Sequence, residues 1–158
     1  MFKDRNEAGR LLAKKLKKFE SKGDAIVFGI TRGGAVVADE ISKKLKLPLD
    51  IIVVKKIPAP LNPELAIGAV GPGDTVYWDK RLLNGIYISE DYKKESVRIK
   101  TEEREELEEY LKGPTSPRLR GALIKNKIVI LVDDGIATGA TVLAAVQFFR
   151  KKKVKKII

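Results

Sequence analysis

The sequence predicts an α/β fold, a doubly wound and mainly parallel sheet of four or five strands flanked by helices. Three observations support this prediction. Short apolar runs of strand length alternate along the chain with longer segments whose apolar residues recur at helical spacing. The runs are apolar without alternation, which is typical of strands covered on both faces. The segments that connect them are long enough for the right-handed crossover of a parallel sheet.

The first part of the chain contains a complete βαβ unit. Asp4 followed by Glu7 resembles a capping box, which marks the start of a helix. The predicted elements are a helix over residues 4–20, a strand at Ala25–Ile30, a helix that ends near Pro48 and a strand at Leu49–Val54. Two buried strands joined by one helix imply parallel pairing.

The middle of the chain is interpreted as a loop, short strands and one long helix. Three prolines lie in Lys56–Pro63, and because each removes a backbone donor, this segment is predicted to be a loop without regular structure. Short strands are predicted at Leu65–Val70, Thr75–Trp78 and Gly85–Ile88, followed by a charged, solvent-exposed helix from Ser89 to Lys112 that Gly113–Pro117 ends.

The end of the chain repeats the strand–helix–strand pattern. The predicted elements are a strand at Lys127–Val132, a helix that begins near Ala140 and a strand at Val154–Ile158. A strand in such a fold normally leads into a further loop, so we expect the C-terminal elements to be missing. Residues 1–158 are predicted to form a single domain.

Composition narrows the possible chemistry. The chain has neither cysteine nor histidine, which excludes disulfide bonds, thiolate zinc ligation and a histidine base. Its net charge of +11 favours a polyanionic partner: nucleic acid, an anionic membrane surface or a small substrate. No apolar run approaches the roughly 18 residues of a membrane span and no signal-peptide pattern is present, so we expect a cytoplasmic protein without a membrane partner. The bias towards Lys and Glu predicts a thermophilic source.

The most informative segment is Leu131–Val142, LVDDGIATGATV. An apolar strand leads into Asp133 and Asp134, and a run of small residues and threonines then leads into a helix. Small residues let backbone N–H groups approach an anion closely, and a helix N-terminus favours negative charge, so we interpret the loop as a phosphate site. It lacks the lysine of the nucleotide-binding P-loop and does not fit G-x-G-x-x-G. The two acids are predicted to face sugar hydroxyls or magnesium, because they would repel a phosphate.

This segment is similar to the signature of the type I phosphoribosyltransferases. Over nearly the whole chain, the sequence resembles a group of predicted phosphoribosyltransferases from archaea and bacteria whose acceptor is unassigned. The resemblance implies Mg²⁺-dependent binding of 5-phosphoribosyl-1-pyrophosphate and phosphoribosyl transfer to a nucleobase or similar acceptor, with release of pyrophosphate. Asp133 and Asp134 are implied to hold the ribose hydroxyls, directly or with the metal. The residues implied to bind the 5′-phosphate are Ala137, Thr138, Gly139, Ala140 and Thr141.

Two further segments are interpreted through the same resemblance. Thr31-Arg32-Gly33-Gly34 corresponds to the pyrophosphate loop, although such a sequence is also a common tight turn. Basic residues and a mobile closing loop usually follow the next strand, and Pro58–Glu64 resembles that loop; surface lysines and a simple proline spacer are the alternatives. The candidate catalytic residues are Arg32, Lys56 and Glu64, and the further candidate substrate-binding residues are Thr31, Gly33, Gly34 and Lys55.

The resemblance limits the acceptor, and other function classes stay open. Family enzymes acting on 6-oxopurines have an aspartate where this chain has Ala137, which disfavours hypoxanthine, guanine and xanthine. Many relatives are dimers, so the resemblance makes a homodimer one option for an oligomeric state that the sequence leaves open. The first alternative is a regulatory module that binds the same sugar without transfer. A nucleic-acid partner is disfavoured because aromatics make up only 6% of the chain, and a dinucleotide-binding dehydrogenase because its glycine fingerprint is absent.

Overall fold

The computed structural model describes residues 2–111 and 124–158. Their contacts divide the chain into two compact units. The first unit comprises residues 2–52, 124–136 and 149–158, and the second comprises residues 53–111 and 137–148. The single domain over residues 1–158 stays a prediction. None of the helices in the described residues is long and apolar enough to cross a membrane.

Helices and strands alternate at the start and the end of the chain, as the sequence predicts, and several strands follow one another in the middle. The helices are α1 (Arg5–Lys15), α2 (Gly33–Leu45), α3 (Lys80–Leu83), α4 (Glu90–Tyr110) and α5 (Ala140–Lys151), with a short 3₁₀ helix at Lys17–Phe19. The strands are β1 (Ala25–Ile30), β2 (Leu49–Ile52), β3 (Lys55–Ala59), β4 (Asn62–Gly71), β5 (Thr75–Trp78), β6 (Ile128–Val132) and β7 (Lys156–Ile157).

The first unit contains a four-stranded parallel sheet in the order β2-β1-β6-β7. All six residues of β1 are buried, as expected for a strand with neighbours on both edges and packing on its faces. Gly29 lies opposite Ile51 of β2 and Val132 of β6. The carboxyl ends of β1 and β6 therefore lie side by side, and the segments that follow them start at the same edge of the sheet. The predicted α/β class with a parallel sheet is confirmed.

Helix α1 is shorter than the sequence pattern suggests. Its start is as predicted, because the Asp4 carboxylate accepts a bond from the Glu7 backbone N–H at 2.7 Å. The helix ends at Lys15 instead of continuing to residue 20, and the chain tightens into the 3₁₀ turn. This turn carries Phe19 into the core formed by α2, β1 and β6, where Phe19 is 5% exposed. Burial of the ring therefore decides where the regular helix stops.

Gly9 sits where α1 crosses α2. A Cβ atom on Gly9 would lie 2.5 Å from Glu40 Cβ and 2.8 Å from the Val37 carbonyl oxygen, both on α2. We expect Gly9→Ala to lower the free energy of unfolding by about 1–3 kcal/mol, because the helices must separate to accept the methyl group. Urea unfolding measures this change. Gly23→Ala is the matched control, since a Cβ atom there meets nothing within 4 Å; equal stability of both variants would contradict the close crossing.

The second unit contains a three-stranded antiparallel sheet in the order β3-β4-β5. The prediction that Lys56–Pro63 has no regular structure is wrong, because most of this segment lies in the β3–β4 hairpin. Pro58 is tolerated because β3 lies at the edge of this three-stranded sheet and its register with β4 shifts on both sides of Pro58. Pro63 stands near the start of β4. The predicted strands at Leu65–Val70 and Thr75–Trp78 are confirmed within β4 and β5.

The predicted strand at Gly85–Ile88 is also wrong. Helix α3 precedes it, capped by the buried Asp79, and the Gly85 N–H donates to the Leu82 carbonyl at 3.1 Å. These backbone bonds close a turn in which only Ile88 joins the hydrophobic core of the unit. The apolar run Gly85–Ile88 therefore contributes one residue to the core and pairs with none of the strands in residues 2–111 and 124–158.

The long helix α4 confirms the predicted charged helix and shows how it is attached. Ser89 caps its start by accepting a bond from the Tyr92 N–H at 3.2 Å. The Tyr92 hydroxyl donates to the Pro58 carbonyl at 2.9 Å, which ties the first turn of α4 to β3. The helix is described up to Tyr110, and the predicted stop at Gly113–Pro117 lies outside the described residues.

Candidate functional site

Two adjacent carboxylates follow strand β6 at the carboxyl edge of the parallel sheet. Asp133 is half-buried, and its Oδ1 atom accepts a bond from the Asp134 backbone N–H at 2.9 Å. The Asp134 side chain is 29% exposed. Both acids thus lie at the strand end where parallel α/β sheets gather their ligands, and neither carboxylate is sealed in the core.

Arg5, the first residue of α1, binds Asp134. Its Nε and Nη2 atoms lie 2.8 Å and 2.6 Å from the same carboxylate oxygen, Oδ2. These hydrogen bonds from Arg5 are the main reason that the pKa of the Asp134 carboxyl lies below its usual value, against a smaller opposing effect of burial. Asp134 is therefore a carboxylate over the whole neutral pH range.

The glycines at the start of α2 lie directly against both acids. A Cβ atom on Gly34 would lie 2.6 Å from the Val132 carbonyl oxygen and 2.9 Å from Asp133 Cα. A Cβ atom on Gly33 would overlap the carboxylate of Asp134. Glycine at both positions therefore allows the two loops to approach each other closely. The structure brings together the predicted Gly33, Gly34, Asp133 and Asp134.

Thr31 and Arg32 connect β1 to this glycine pair through a cis peptide bond. The Thr31 N–H donates to the Ile52 carbonyl at 3.1 Å, which holds the strand end next to β2. Arg32 is exposed, and no side chain caps the helix that follows it. The first turn of α2 thus offers backbone N–H groups that can donate hydrogen bonds to an anion, and the guanidinium of Arg32 lies beside them.

The loop that the sequence predicts to bind phosphate, residues 137–141, belongs to the second unit. Gly139 has a φ of +81°, a left-handed conformation that side chains disfavour, and α5 begins at the next residue. The Thr138 hydroxyl accepts a bond from the Ala140 N–H at 3.4 Å, and the Leu143 N–H donates to the Gly139 carbonyl at 2.9 Å. The predicted small-residue turn before a helix is present, and its ligand stays a prediction.

The predicted residues of the proline segment lie on the β3–β4 hairpin. Lys55 has its Nζ atom 3.9 Å from Glu103 Oε2 on α4, whereas Lys56 is exposed, as alternation along a strand dictates. Glu64 is exposed on β4, and its N–H donates to Asn62 Oδ1 at 3.2 Å. The roles given to Lys55, Lys56 and Glu64 stay predictions.

Comparison with known proteins decides the family. The family model described as the phosphoribosyl transferase domain matches residues 3–158. The chain belongs to this family. A proposed phosphoribosyl transferase of Mycobacterium tuberculosis is 36% identical over 165 residues, which covers 100% of this chain and 34% of that protein. The chain thus spans about a third of the length of that relative.

Solved structures show the same phosphoribosyl transferase fold. A crystal structure of a Thermus thermophilus protein is 34% identical, with a TM-score of 0.73, and the match covers 99% of this chain and 72% of that one. A hypoxanthine phosphoribosyltransferase of Staphylococcus aureus has a TM-score of 0.54 at 16% identity, covering 98% of this chain and 59% of that one. A purine phosphoribosyltransferase of Pyrococcus horikoshii has a TM-score of 0.51 at 23% identity, covering 96% and 67%. At these lower identities the likeness shows a shared fold.

The donor set suits a metal ion that is bound together with its substrate. Within residues 2–111 and 124–158, no group of three or more acidic side chains could hold a metal ion. Mg²⁺ commonly takes one or two carboxylates, keeps several waters and shares substrate phosphates. The adjacent carboxylates of Asp133 and Asp134 fit that pattern and do not form a complete metal cage.

Arg5 is the residue of this site that sequence reasoning missed. It belongs to the start of the chain, Phe2-Lys3-Asp4-Arg5, where the pattern indicates only a helix cap. The cap signal of Asp4 places Arg5 in the first turn of α1, but nothing in the spacing places that turn beside the end of β6, 129 residues away. The family resemblance, which extends over nearly the whole chain, was the only signal that covers this residue.

Proposed function

We propose that this chain binds 5-phosphoribosyl-1-pyrophosphate with Mg²⁺ and transfers its phosphoribosyl group to a nucleobase or similar acceptor. The observation that carries the proposal is the position of the Asp133 and Asp134 carboxylates against the glycine pair at the start of α2. Such a site offers acceptors for sugar hydroxyls next to N–H donors for a pyrophosphate. Membership of the phosphoribosyl transferase family supports the reaction type.

The transfer breaks the bond between C1 of the ribose and the pyrophosphate. Positive charge then develops on the sugar, and negative charge develops on the leaving group. The carboxylates of Asp133 and Asp134 would stabilise the sugar, while the exposed guanidinium of Arg32 and the amides of Gly33 and Gly34 would bind the pyrophosphate. Mg²⁺, held by Asp133 and Asp134, would neutralise part of the pyrophosphate charge when bound. Lys55 and Lys56 are further proposed cations for the leaving group.

The loop of small residues that follows the acids along the chain is the proposed site of the 5′-phosphate. Its five residues are Ala137, Thr138, Gly139, Ala140 and Thr141. The left-handed Gly139 precedes the first residue of α5, so its neighbours can direct backbone N–H groups at a phosphate. The hydroxyl groups of Thr138 and Thr141 would add donors.

The acceptor is proposed to be a nucleobase or a similar ring. Two proteins with the same fold are named for hypoxanthine and purine transfer. The family resemblance implies an aspartate at the position of Ala137 in enzymes that act on 6-oxopurines, so a 6-oxopurine is the less favoured choice. Glu64 is the proposed base, since its side chain is exposed.

Calorimetric titration with the phosphoribosyl donor tests the proposal most directly. We expect saturable binding with Mg²⁺ present and much weaker binding when a chelator removes the metal. Bound protein is then mixed with a panel of nucleobases, and the released pyrophosphate is measured. Binding with no pyrophosphate release from any acceptor would favour the regulatory module, and an absence of donor binding under both conditions would contradict the proposal.

A further inference from the structure

In the contact between Arg5 and Asp134, Arg5 occupies both hydrogen-bond acceptor sites of one carboxylate oxygen. Both Nε and Nη2 of Arg5 donate to Oδ2, at 2.8 Å and 2.6 Å. A carboxylate oxygen offers about two lone-pair sites, so these two bonds saturate Oδ2. A metal ion or a sugar hydroxyl that needs this oxygen has to take the place of Arg5.

The side chain of Asp134, which is 29% exposed, is the more enclosed of the two partners. Its carboxylate packs against the backbone of Gly33, where a methyl group would overlap it. The Asp134 backbone is also held by its bond to Asp133 Oδ1. Arg5, in contrast, has a side chain that is 59% exposed, so its guanidinium can move into water while α1 stays in place. Of the two partners, Arg5 is therefore the one that moves.

We propose that Arg5 is a competing counter-ion that holds Asp134 in the ligand-free protein and releases it when a divalent cation reaches the acid pair. This inference rests on the proposed function of Asp133 and Asp134. Neutral hydroxyls that replaced Arg5 would leave Asp134 with weaker, uncharged partners. A divalent cation brings twice the charge of Arg5, so it can compensate for the lost ion pair. Arg5 thereby makes occupation of the acids depend on the metal.

Arg5→Gln tests this role with the metal alone. The probe is Mn²⁺ in place of Mg²⁺, without any sugar, and free Mn²⁺ is counted by electron paramagnetic resonance. We expect Arg5→Gln to bind Mn²⁺ about three- to tenfold more tightly than the wild-type protein, because a partly exposed ion pair and one repelling charge are removed. Arg5→Lys, which keeps the charge but loses the paired donors, is expected to lie between the two.

Arg10→Gln is the matched control. Arg10 stands on the same helix and carries the same charge, but it faces Glu40, with its Nη1 atom 3.8 Å from Glu40 Oε2. This variant is expected to bind Mn²⁺ as the wild-type protein does. If Arg5→Gln bound Mn²⁺ as tightly as the wild-type protein or more weakly, the inference would be overturned. Arg5 would then have no effect on metal binding or would favour it. An equal increase in the Mn²⁺ affinity of Arg10→Gln would also overturn the inference, because the effect would then reflect the net charge of the protein.

A second pair of measurements separates this inference from the proposed function. The variant with both Asp133→Asn and Asp134→Asn is expected to lose the Mn²⁺ binding. If this double variant still binds Mn²⁺, the two acids are not the metal site, and the proposal that they hold Mg²⁺ is refuted. If the binding is lost but Arg5→Gln has no effect, the proposed function stands and the role of Arg5 alone is refuted.

Discussion

Replacing both Asp133 and Asp134 with asparagine is expected to abolish binding of the phosphoribosyl donor and to leave the fold intact. Each carboxylate is expected to accept charge-assisted bonds from the sugar or to bind the metal, and losing such contacts weakens affinity by about a hundredfold or more. Asparagine keeps the shape of the side chain but removes the charge. Calorimetric titration with the donor and Mg²⁺ measures the loss.

The control for this experiment removes the same charge elsewhere. Asp24 and Asp39 form surface ion pairs with Lys155 and Lys43, and asparagine at both positions deletes two carboxylates that have no proposed role in donor binding. Surface pairs contribute little to stability, so both double variants are expected to unfold close to the wild-type temperature. The assignment of the acids would be refuted if the donor bound with unchanged affinity to the variant at Asp133 and Asp134.

Gly33→Ala is expected to weaken donor binding by about tenfold or more without loss of stability. The new methyl group would overlap the carboxylate of Asp134, and a side-chain end can move aside where backbone cannot. Alanine in the first turn of α2 is also the better helix former, by up to about 1 kcal/mol. The expected signature is therefore a protein of equal or higher melting temperature that binds the donor poorly.

Gly34→Ala provides the contrast. Its methyl group would meet backbone, with the Val132 carbonyl oxygen at 2.6 Å and Asp133 Cα at 2.9 Å, so the strand end and the helix start must separate. We expect a loss of about 1–3 kcal/mol in the free energy of unfolding. Thermal unfolding and donor titration of both variants separate the two effects. Full donor affinity in Gly33→Ala would show that the ligand does not depend on the position of Asp134.

Regular elements with a strong local signal were predicted well. The βαβ unit from β1 to β2, the strand β6 with its acids and the helix α5 follow from apolar runs and helical spacing. The capping signal of Asp4 and the predicted start of the charged helix at Ser89 also place two helix starts correctly. These features depend on residues that are neighbours along the chain, where backbone geometry and capping act directly.

The errors fall where a distant partner decides the outcome. The proline-containing segment forms a hairpin because β3 is an edge strand, and edge position is a property of the assembled sheet. The apolar run at Gly85–Ile88 is not a strand because it begins in the turn that closes α3, where the Gly85 N–H bonds back to Leu82. Helix α1 ends early so that Phe19 can enter the core. None of these partners is visible in the local pattern.

The sequence by itself determined the alternation of helices and strands, the parallel sheet and the loop with two acids, because each depends on a short run of residue types. Only the tertiary structure decided that Arg5 binds Asp134 and that Gly33 and Gly34 lie against the acids. The physical reason is that β1 and β6 pair in parallel register, which brings their following loops together across about a hundred residues of chain. Charge pairing and close backbone approach at that edge depend on the sheet being formed first.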